Sequence, residues 1–587
     1  MCEHEEVKNY TIPRIILAII LFICAYIYKP LFLVAYVLIG FDILFRAIKN
    51  IIKGQIFDEN FLMSLATLGA ICIKEYPEAA MVMILYQIGE YMQDKAVDKS
   101  RDEISKLMNI RPDYANLNGE KVNPDIVKIG DIITVKTGEK IPLDGIITKG
   151  QATIDTSALT GESMPRKAKE GDEIISGSVN LDGLLEVKVT KLFGESTVSK
   201  ILELVENASS KKAKTENFIT KFARYYTPAV VIIAIFMALI PPFYIKRALT
   251  FLVISCPCAL VISIPLTFFA GIGSASKNGV LIKGSSYLEI LSKIKTVVFD
   301  KTGTLTKGNF NVVEINSSNE DLLKYAASAE SASSHPIANA IKSAYHGEML
   351  AVDNIQEIAG QGIKAMINGK KVLVGNSKLV NTKSIESYGT VVYVSIDDRL
   401  EGHIVIADEI KNDAKSTINL LKRMGISTVM LTGDSTTTAK NVSDKLGIDK
   451  FRAELLPVDK VKELENIIKE NIGNVAFVGD GINDAPVLTR ADIGIAMGGL
   501  GSDAAIEAAD VVIMDDMPYK VVNAIKIAKK TMAIVKENII FALGIKFAFL
   551  IFGALGFVSM WGAVFADVGV SLIAILNALR AMSWKQK

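Results

Sequence analysis

The sequence predicts a multi-domain membrane protein in which eight transmembrane helices carry one β-rich and one α/β soluble block. Three observations predict it. Half of the 587 residues are hydrophobic, too many for an ordinary soluble enzyme, and 22% are charged, too many for membrane spans alone. The apolar runs come in pairs separated by short polar turns, as helical hairpins would. Two long stretches between the pairs have the composition of folded domains, one rich in short β-like runs and one alternating strand and helix patterns.

The elements follow in order. Residues 1–14 form a short tail, whose start MCEHEEVKNY is acidic and lacks the basic region of a cleavable signal; its Cys2, Glu3 and His4 read as a solvated end. Residues 15–93 hold four spans, with apolar runs at 15–28, 31–45, 61–73 and 79–92. Several runs are shorter than the ~20 residues a span usually needs. Residues 94–222 are the β-rich block, with Gly and Asp turns as in DIITVKTGEKIPLDGIIT. Residues 223–279 hold two more spans at 228–243 and 249–273, and residues 531–587 the last two at 539–557 and 558–579.

An even number of spans separates both soluble blocks from the termini, so all of them share one side. Arg46, Lys49, Lys53, Lys211, Lys212, Lys214, Lys277 and Lys585 flank that side, which makes it the cytoplasm. Lys29, Lys74, Lys246 and Arg247 sit at the opposite turns, so the charge bias is partial. The net charge of +1 implies no nucleic-acid partner, and the five cysteines form no disulfide framework.

Three apolar strand patterns in the α/β block end in polar signatures. KTVVFDKTGT runs into Asp300, STVMLTGDS into Thr432 and Asp434, and NVAFVGDGIND into Asp480 and Asp484. In an open parallel sheet the site lies off the carboxyl ends of the strands, so these groups meet at one edge. Clustered carboxylates call for a cation such as Mg²⁺, and a carboxylate can itself attack phosphorus to form an aspartyl-phosphate.

These residues carry a resemblance. DKTGT at 300–304 is similar to the phosphorylation motif of P-type cation-transporting ATPases, and TGES at 160–163, TGD at 432–434 and GDGIND at 479–484 resemble their other signatures, over nearly the whole chain. The resemblance implies a haloacid dehalogenase-like phosphorylation domain in two parts, 280–309 and 406–530, with an α+β nucleotide-binding domain inserted at 310–405. The β-rich block becomes the actuator domain. Asp300 is then the phosphorylated nucleophile, Thr302 and Thr432 hold phosphoryl oxygens, and Lys460 neutralises them. Asp300, Asp480 and Asp484 hold Mg²⁺, and Glu162 orients the hydrolytic water. The segments ESASSHPIA and GQGIKA are similar to the heavy-metal branch, which implies ATP contacts at Glu330, His335, Gly360 and Gly362.

The metal path is read from ISCPCALVIS. Pro257 lacks an N–H and breaks its helix, which turns Cys256 and Cys258 toward one cavity, and thiolates are soft-metal ligands. Lys546 and Asp567 lie inside the last two spans, where each charge costs on the order of 2.5–3.5 kcal/mol. Two thiolates, one carboxylate and one ammonium leave two negative charges, which a divalent metal neutralises and a monovalent one does not. A Lys together with Asp567-x-Gly569 resembles the zinc/cadmium/lead-exporting group. The expected function is ATP-driven export of Zn²⁺, Cd²⁺ or Pb²⁺ across the cell membrane by a monomer. A Cu(I) exporter of the same family and a membrane-anchored phosphatase are the alternatives. Glu90, near the inner end of its span, serves either the ion path or a nearby base.

Overall fold

The computed structural model describes residues 11–53, 59–107, 112–156, 165–199, 212–240, 244–255, 258–333, 335–358, 361–383, 385, 387, 389–480, 484–498 and 507–583. They form two units. One comprises residues 1–278, 282–292 and 526–587, and the other residues 279–281 and 293–525.

The first unit contains the apolar helices α1 (Thr11–Cys24), α2 (Leu31–Ile52), α3 (Glu59–Cys72), α4 (Tyr76–Leu107), α5 (Lys214–Leu239), α6 (Ile245–Ile254), α7 (Cys258–Lys277), α8 (Tyr519–Leu555, from Lys526 onward) and α9 (Met560–Leu579). Among the described residues, five helical stretches are long and apolar enough to cross a membrane: α2, α5, α6 with α7, α8, and α9 with its last turn. Helices α1 and α3 are apolar but shorter. Ile15, Ala18 and Phe22 of α1 and Ala35, Tyr36, Ile39 and Ile43 of α2 are buried at helical spacing. Ile16, Ile20 and Ile23 on the other side of α1 are exposed, the apolar exterior of a membrane bundle.

Helix boundaries depart from the hydropathy reading in one consistent way. α4 runs on past residue 93 to Leu107, and α8 begins at Tyr519, well before the apolar run at 539. Lysines interrupt hydropathy there, but Lys and Ala are good helix formers. α2 likewise passes unbroken through Gly40 and Phe41 to Ile52. Close approach of α4 to α9 depends on Gly89, where a Cβ would lie 2.2 Å from Val568 Cγ2.

The same unit holds the β-rich block. A six-stranded sheet has the order Glu120–Val122, Ala115–Leu117, Ile132–Val135, Leu185–Val189, Gly145–Lys149 and Glu173–Ile174, all neighbours antiparallel. Alternate residues Leu185, Val187 and Val189 point into a core with Ile133, Ile141 and Leu143.

The second unit is built on a seven-stranded sheet with the order Val280–Ile282, Val511–Ile513, Ile493–Ala496, Asn474–Gly479, Ile294–Asp300, Ser427–Leu431 and Lys450–Arg452. The Asp300 strand lies between its partners, parallel to both, with Phe299 beside Val478 and Asp300 beside Leu431. Burial on both faces explains the unbroken apolar runs. A six-stranded antiparallel sheet, from Thr306–Ser317 to Arg399–Ile410, packs the helices Leu322–Ala329 and Pro336–Ala344 over its own core.

Candidate active site and transport site

Three strand ends assemble the first site. Parallel register puts the last residue of the Asp300 strand level with the positions just before Thr432 and Asp480. Lys460, near the start of the helix Pro457–Glu470, reaches across to Asp300 Oδ1 at 2.6 Å and Asp484 Oδ1 at 3.0 Å. Burial, then repulsion from Asp484, pushes the Asp300 carboxyl up to about 7 against the pull of Lys460. Burial likewise raises Asp484 above the usual carboxylate range. Burial opposes the charge of Lys460, but Asp300 and Asp484 outweigh it and hold its pKa above the ordinary value.

Thr432 is buried, and its Oγ1 accepts a bond from the Asp434 amide at 3.1 Å. Thr302 is exposed on the turn after Asp300. Two residues that sequence reasoning passed over complete this edge. Lys301 pairs with Asp434 at 2.5 Å, and buried Lys411 donates to the Gly303 carbonyl and to Asp516 Oδ1, each at 2.7 Å. Lys411 therefore pins the backbone of the turn that follows Asp300; a lone lysine closing the apolar strand GHIVIADEIK was its signal.

The residues fit Mg²⁺ by donor type and charge rather than as a ready cage. Among the described residues no three His, Cys, Asp or Glu side chains already converge as a metal site. Lys460 spans two of the acids instead. Three oxygen-donor carboxylates against one ammonium still leave two negative charges when all are ionised, which suits a hard divalent cation.

A cavity of about 650 Å³ opens beside this edge, lined among others by Lys301, Thr306, Asp408, Asp434 and Asn441. Glu330, His335 and Gly362 are not among its lining residues; they lie on the antiparallel-sheet domain. Glu330 is buried at the end of Leu322–Ala329. His335 caps the next helix, its Nδ1 accepting from the Ile337 amide at 3.2 Å. Gly362 has φ 141°, and a Cβ there would lie 2.2 Å from the Val374 carbonyl oxygen, so no other residue fits the turn. Glu162 of TGES, Gly360, Cys256, Cys2 and His4 lie outside the described residues.

Glu330 gives a pH prediction. Burial, and secondarily Glu357, push its carboxyl up to about 7 against the pull of Lys342. A carboxyl raised in the folded state keeps its proton longer there, so stability is fullest below the ordinary carboxylate range and falls as pH rises through about 7. Heat resistance of the full chain should drop between about pH 4.5 and about pH 7 and level off above, and Glu330→Gln should flatten that drop in scanning calorimetry. Equal slopes in both proteins would assign the dependence elsewhere.

The second site lies among the membrane helices. α6 ends at Ile254 and α7 starts at Cys258, and Cys256 and Pro257 between them lie outside the described residues. Lys546 of α8 pairs with Asp567 of α9 at 2.5 Å and also donates to the Ile254 carbonyl at 3.3 Å. The buried ammonium thus serves a carbonyl at the helix break and a carboxylate together. Cys258 and Asp567 line one cavity of about 90 Å³, which continues to Glu90, Gln93 and Asp94 of α4. Glu90 lines the cavity, and the nearby base that the sequence left open is Arg46, with which it pairs at 2.9 Å.

A sheet-edge aspartate poised against a lysine, joined in one chain to a charged pair inside a helical bundle, defines a membrane ATPase that works through a phosphorylated aspartate. Comparison with known proteins agrees. Residues 294–492 match the haloacid dehalogenase-like hydrolases, and residues 112–206 match the P-type ATPase actuator domain. The chain is 56% identical to the cadmium, zinc and cobalt-transporting ATPase of Bacillus subtilis (strain 168), covering 98% of this chain and 86% of that one. It is 54% identical to a zinc-transporting ATPase of Synechocystis, over 93% of this chain and 79% of the relative. A crystal structure of a zinc-transporting PIB-type ATPase in the E2·Pi state superposes with a TM-score of 0.62 at 35% identity, covering 98% of this chain and all of that one. The chain belongs to the metal-transporting P-type ATPases.

Proposed function

We propose that this protein exports Zn²⁺ or Cd²⁺, and by the same thiolate chemistry Pb²⁺, from the cytoplasm at the expense of ATP. The observation that carries the reading is the Lys546–Asp567 pair on the cavity that Cys258 also lines. Relatives named for cadmium, zinc and cobalt support a divalent cargo. They also add Co²⁺, which the sequence reading did not consider. A Cu(I) exporter has no use for a buried carboxylate–ammonium pair, and a phosphatase has no use for the intramembrane residues.

In this reading eight helices span the membrane, counting α1 and α3 with the apolar part of α4 and treating α6 and α7 as one broken span. Both termini and the soluble domains face the cytoplasm, and the chain works as a monomer. The domain limits are those expected from the sequence except that α4 runs on to Leu107 and α8 starts at Tyr519, with ATP held at Glu330, His335, Gly360 and Gly362. Asp300 attacks the γ-phosphorus, the bond to ADP breaks, and ADP leaves with the electron pair. Lys460 exchanges its carboxylate partners for the phosphoryl oxygens, which Thr302 and Thr432 also hold. Asp300, Asp480 and Asp484 would hold Mg²⁺, which would supply positive charge against the phosphoryl group. Glu162 then takes a proton from the water that hydrolyses the aspartyl-phosphate.

The test is ATP hydrolysis by purified, reduced protein across a metal series. Zn²⁺ and Cd²⁺ should stimulate it and Cu(I) should not. Cys258→Ser should lose most of the stimulation, since a hydroxyl is a poor soft-metal ligand, while still accepting phosphate from inorganic phosphate. Normal stimulation in that variant would remove Cys258 from the transport site.

A further inference from the structure

The cavity that Cys258 and Glu90 both line has an ion pair at Asp567 and another at Glu90, built alike. Asp567 lines the cavity and its partner Lys546 does not; Glu90 lines it and its partner Arg46 does not. Behind Arg46 stands a second acid. Asp42 Oδ2 lies 3.6 Å from the Arg46 guanidinium, one helical turn away on α2. Asp42 is itself held firmly, by Arg14 at 2.8 Å and by Gln87 Nε2, which donates at 2.8 Å to one oxygen and at 3.0 Å to the other. Gln87 also donates to the Ile39 carbonyl at 3.1 Å, so α4 and α2 are tied together at this level. Arg46 thus sits between two carboxylates, with the shorter contact to the one that faces the cavity.

We propose that Arg46 is a displaceable counter-ion for Glu90. The proposal rests on the metal-transport reading above. A divalent cation reaching this part of the cavity takes Glu90, and the guanidinium passes to Asp42, so no carboxylate is left bare during the exchange. A bare acid among membrane helices is expensive, which makes such an exchange easier than simple capture. It also discriminates. Glu90 without Arg46 would accept any cation, Mg²⁺ included, whereas a bound guanidinium yields only to an ion that holds oxygen more tightly. Arg46 is a positioning residue here, since it acts on the metal through Glu90.

The exchange predicts opposite shifts from two substitutions on one helix. The measurement is ATP hydrolysis against free Zn²⁺ by the purified full chain in lipid nanodiscs. Arg46→Gln should lower the half-activating Zn²⁺ concentration about two- to five-fold, the range set by a part-exposed ion pair, and should make excess Mg²⁺ inhibit activation by Zn²⁺. Asp42→Asn removes the alternative partner and should raise it by a similar factor. The double variant should match Arg46→Gln, because Asp42 acts only through Arg46. A merely structural network would instead weaken both single variants in the same direction and lower their melting temperatures together. Equilibrium Zn²⁺ binding to the same four proteins reads the shifts without turnover. Opposed binding shifts in the two single variants, together with no Zn²⁺ stimulation of the wild-type chain, would sink the transport reading alone. Shifts in one direction, additive shifts or no shifts would overturn the role of Arg46.

Discussion

Asp300→Asn should abolish the acid-stable phosphoenzyme and cut metal-stimulated hydrolysis by more than about 10³-fold, since an amide cannot replace the attacking carboxylate. The fold should survive. Lys460 keeps its 3.0 Å contact with Asp484, and the asparagine fills the same space at the strand end. Removing the charge relieves a carboxyl already pushed up to about 7 by burial and by Asp484, so thermal stability should hold or rise while chemistry stops. Radiolabel from γ-labelled ATP, followed by acid quench, reads the first effect and calorimetry the second. A labelled Asp300→Asn protein would move the nucleophile to another residue.

The second large effect belongs to Lys546 and Asp567. Asp567→Ala leaves a buried ammonium that still donates to the Ile254 carbonyl at 3.3 Å but has lost its carboxylate, and breaking one side of a buried pair costs about 3–5 kcal/mol. Metal-stimulated turnover should fall strongly, because a divalent ion beside an uncompensated ammonium makes the cavity positive. Lys546→Ala keeps the metal ligands, so metal affinity should hold or rise while turnover falls, the displacing cation being gone. Close charges couple by about 0.5–3 kcal/mol, so the double variant should be less impaired than the two single losses together. Metal affinity and turnover of the four proteins decide it. Additive losses, or weak metal binding by Lys546→Ala, would separate the two charges.

The legible parts of this protein were those written into contiguous residues. Apolar strands ending in Asp300, Thr432 and Asp480 revealed a sheet edge, because a buried parallel strand is a continuous apolar run with its chemistry at the end. The end of α6 at Ile254 and the start of α7 at Cys258 were legible because a proline between them acts on its own turn. Contacts between distant segments were not. Nothing in the sequence pairs Arg46 with Glu90, or carries Lys411 back to the Gly303 carbonyl, since those meetings depend on helix packing and on strand register. Helix ends were missed for a different reason. Hydropathy measures what a membrane accepts, so it overlooked the lysine-bearing start of α8, which is as helical as the rest.

The inserted antiparallel domain enters and leaves through neighbouring strands, with Thr306 directly paired to Ile410. Paired residues on antiparallel strands are only about 4.5–5.5 Å apart. The two ends of some hundred residues therefore present themselves to the host sheet as if they were one short loop. To the host, lengthening, trimming or replacing the guest is a change at a single point on its surface. Such a layout makes the guest a cassette. It is suited to being expressed alone, exchanged between relatives or fitted with a reporter, while the sheet edge that contains Asp300 keeps its own strand order.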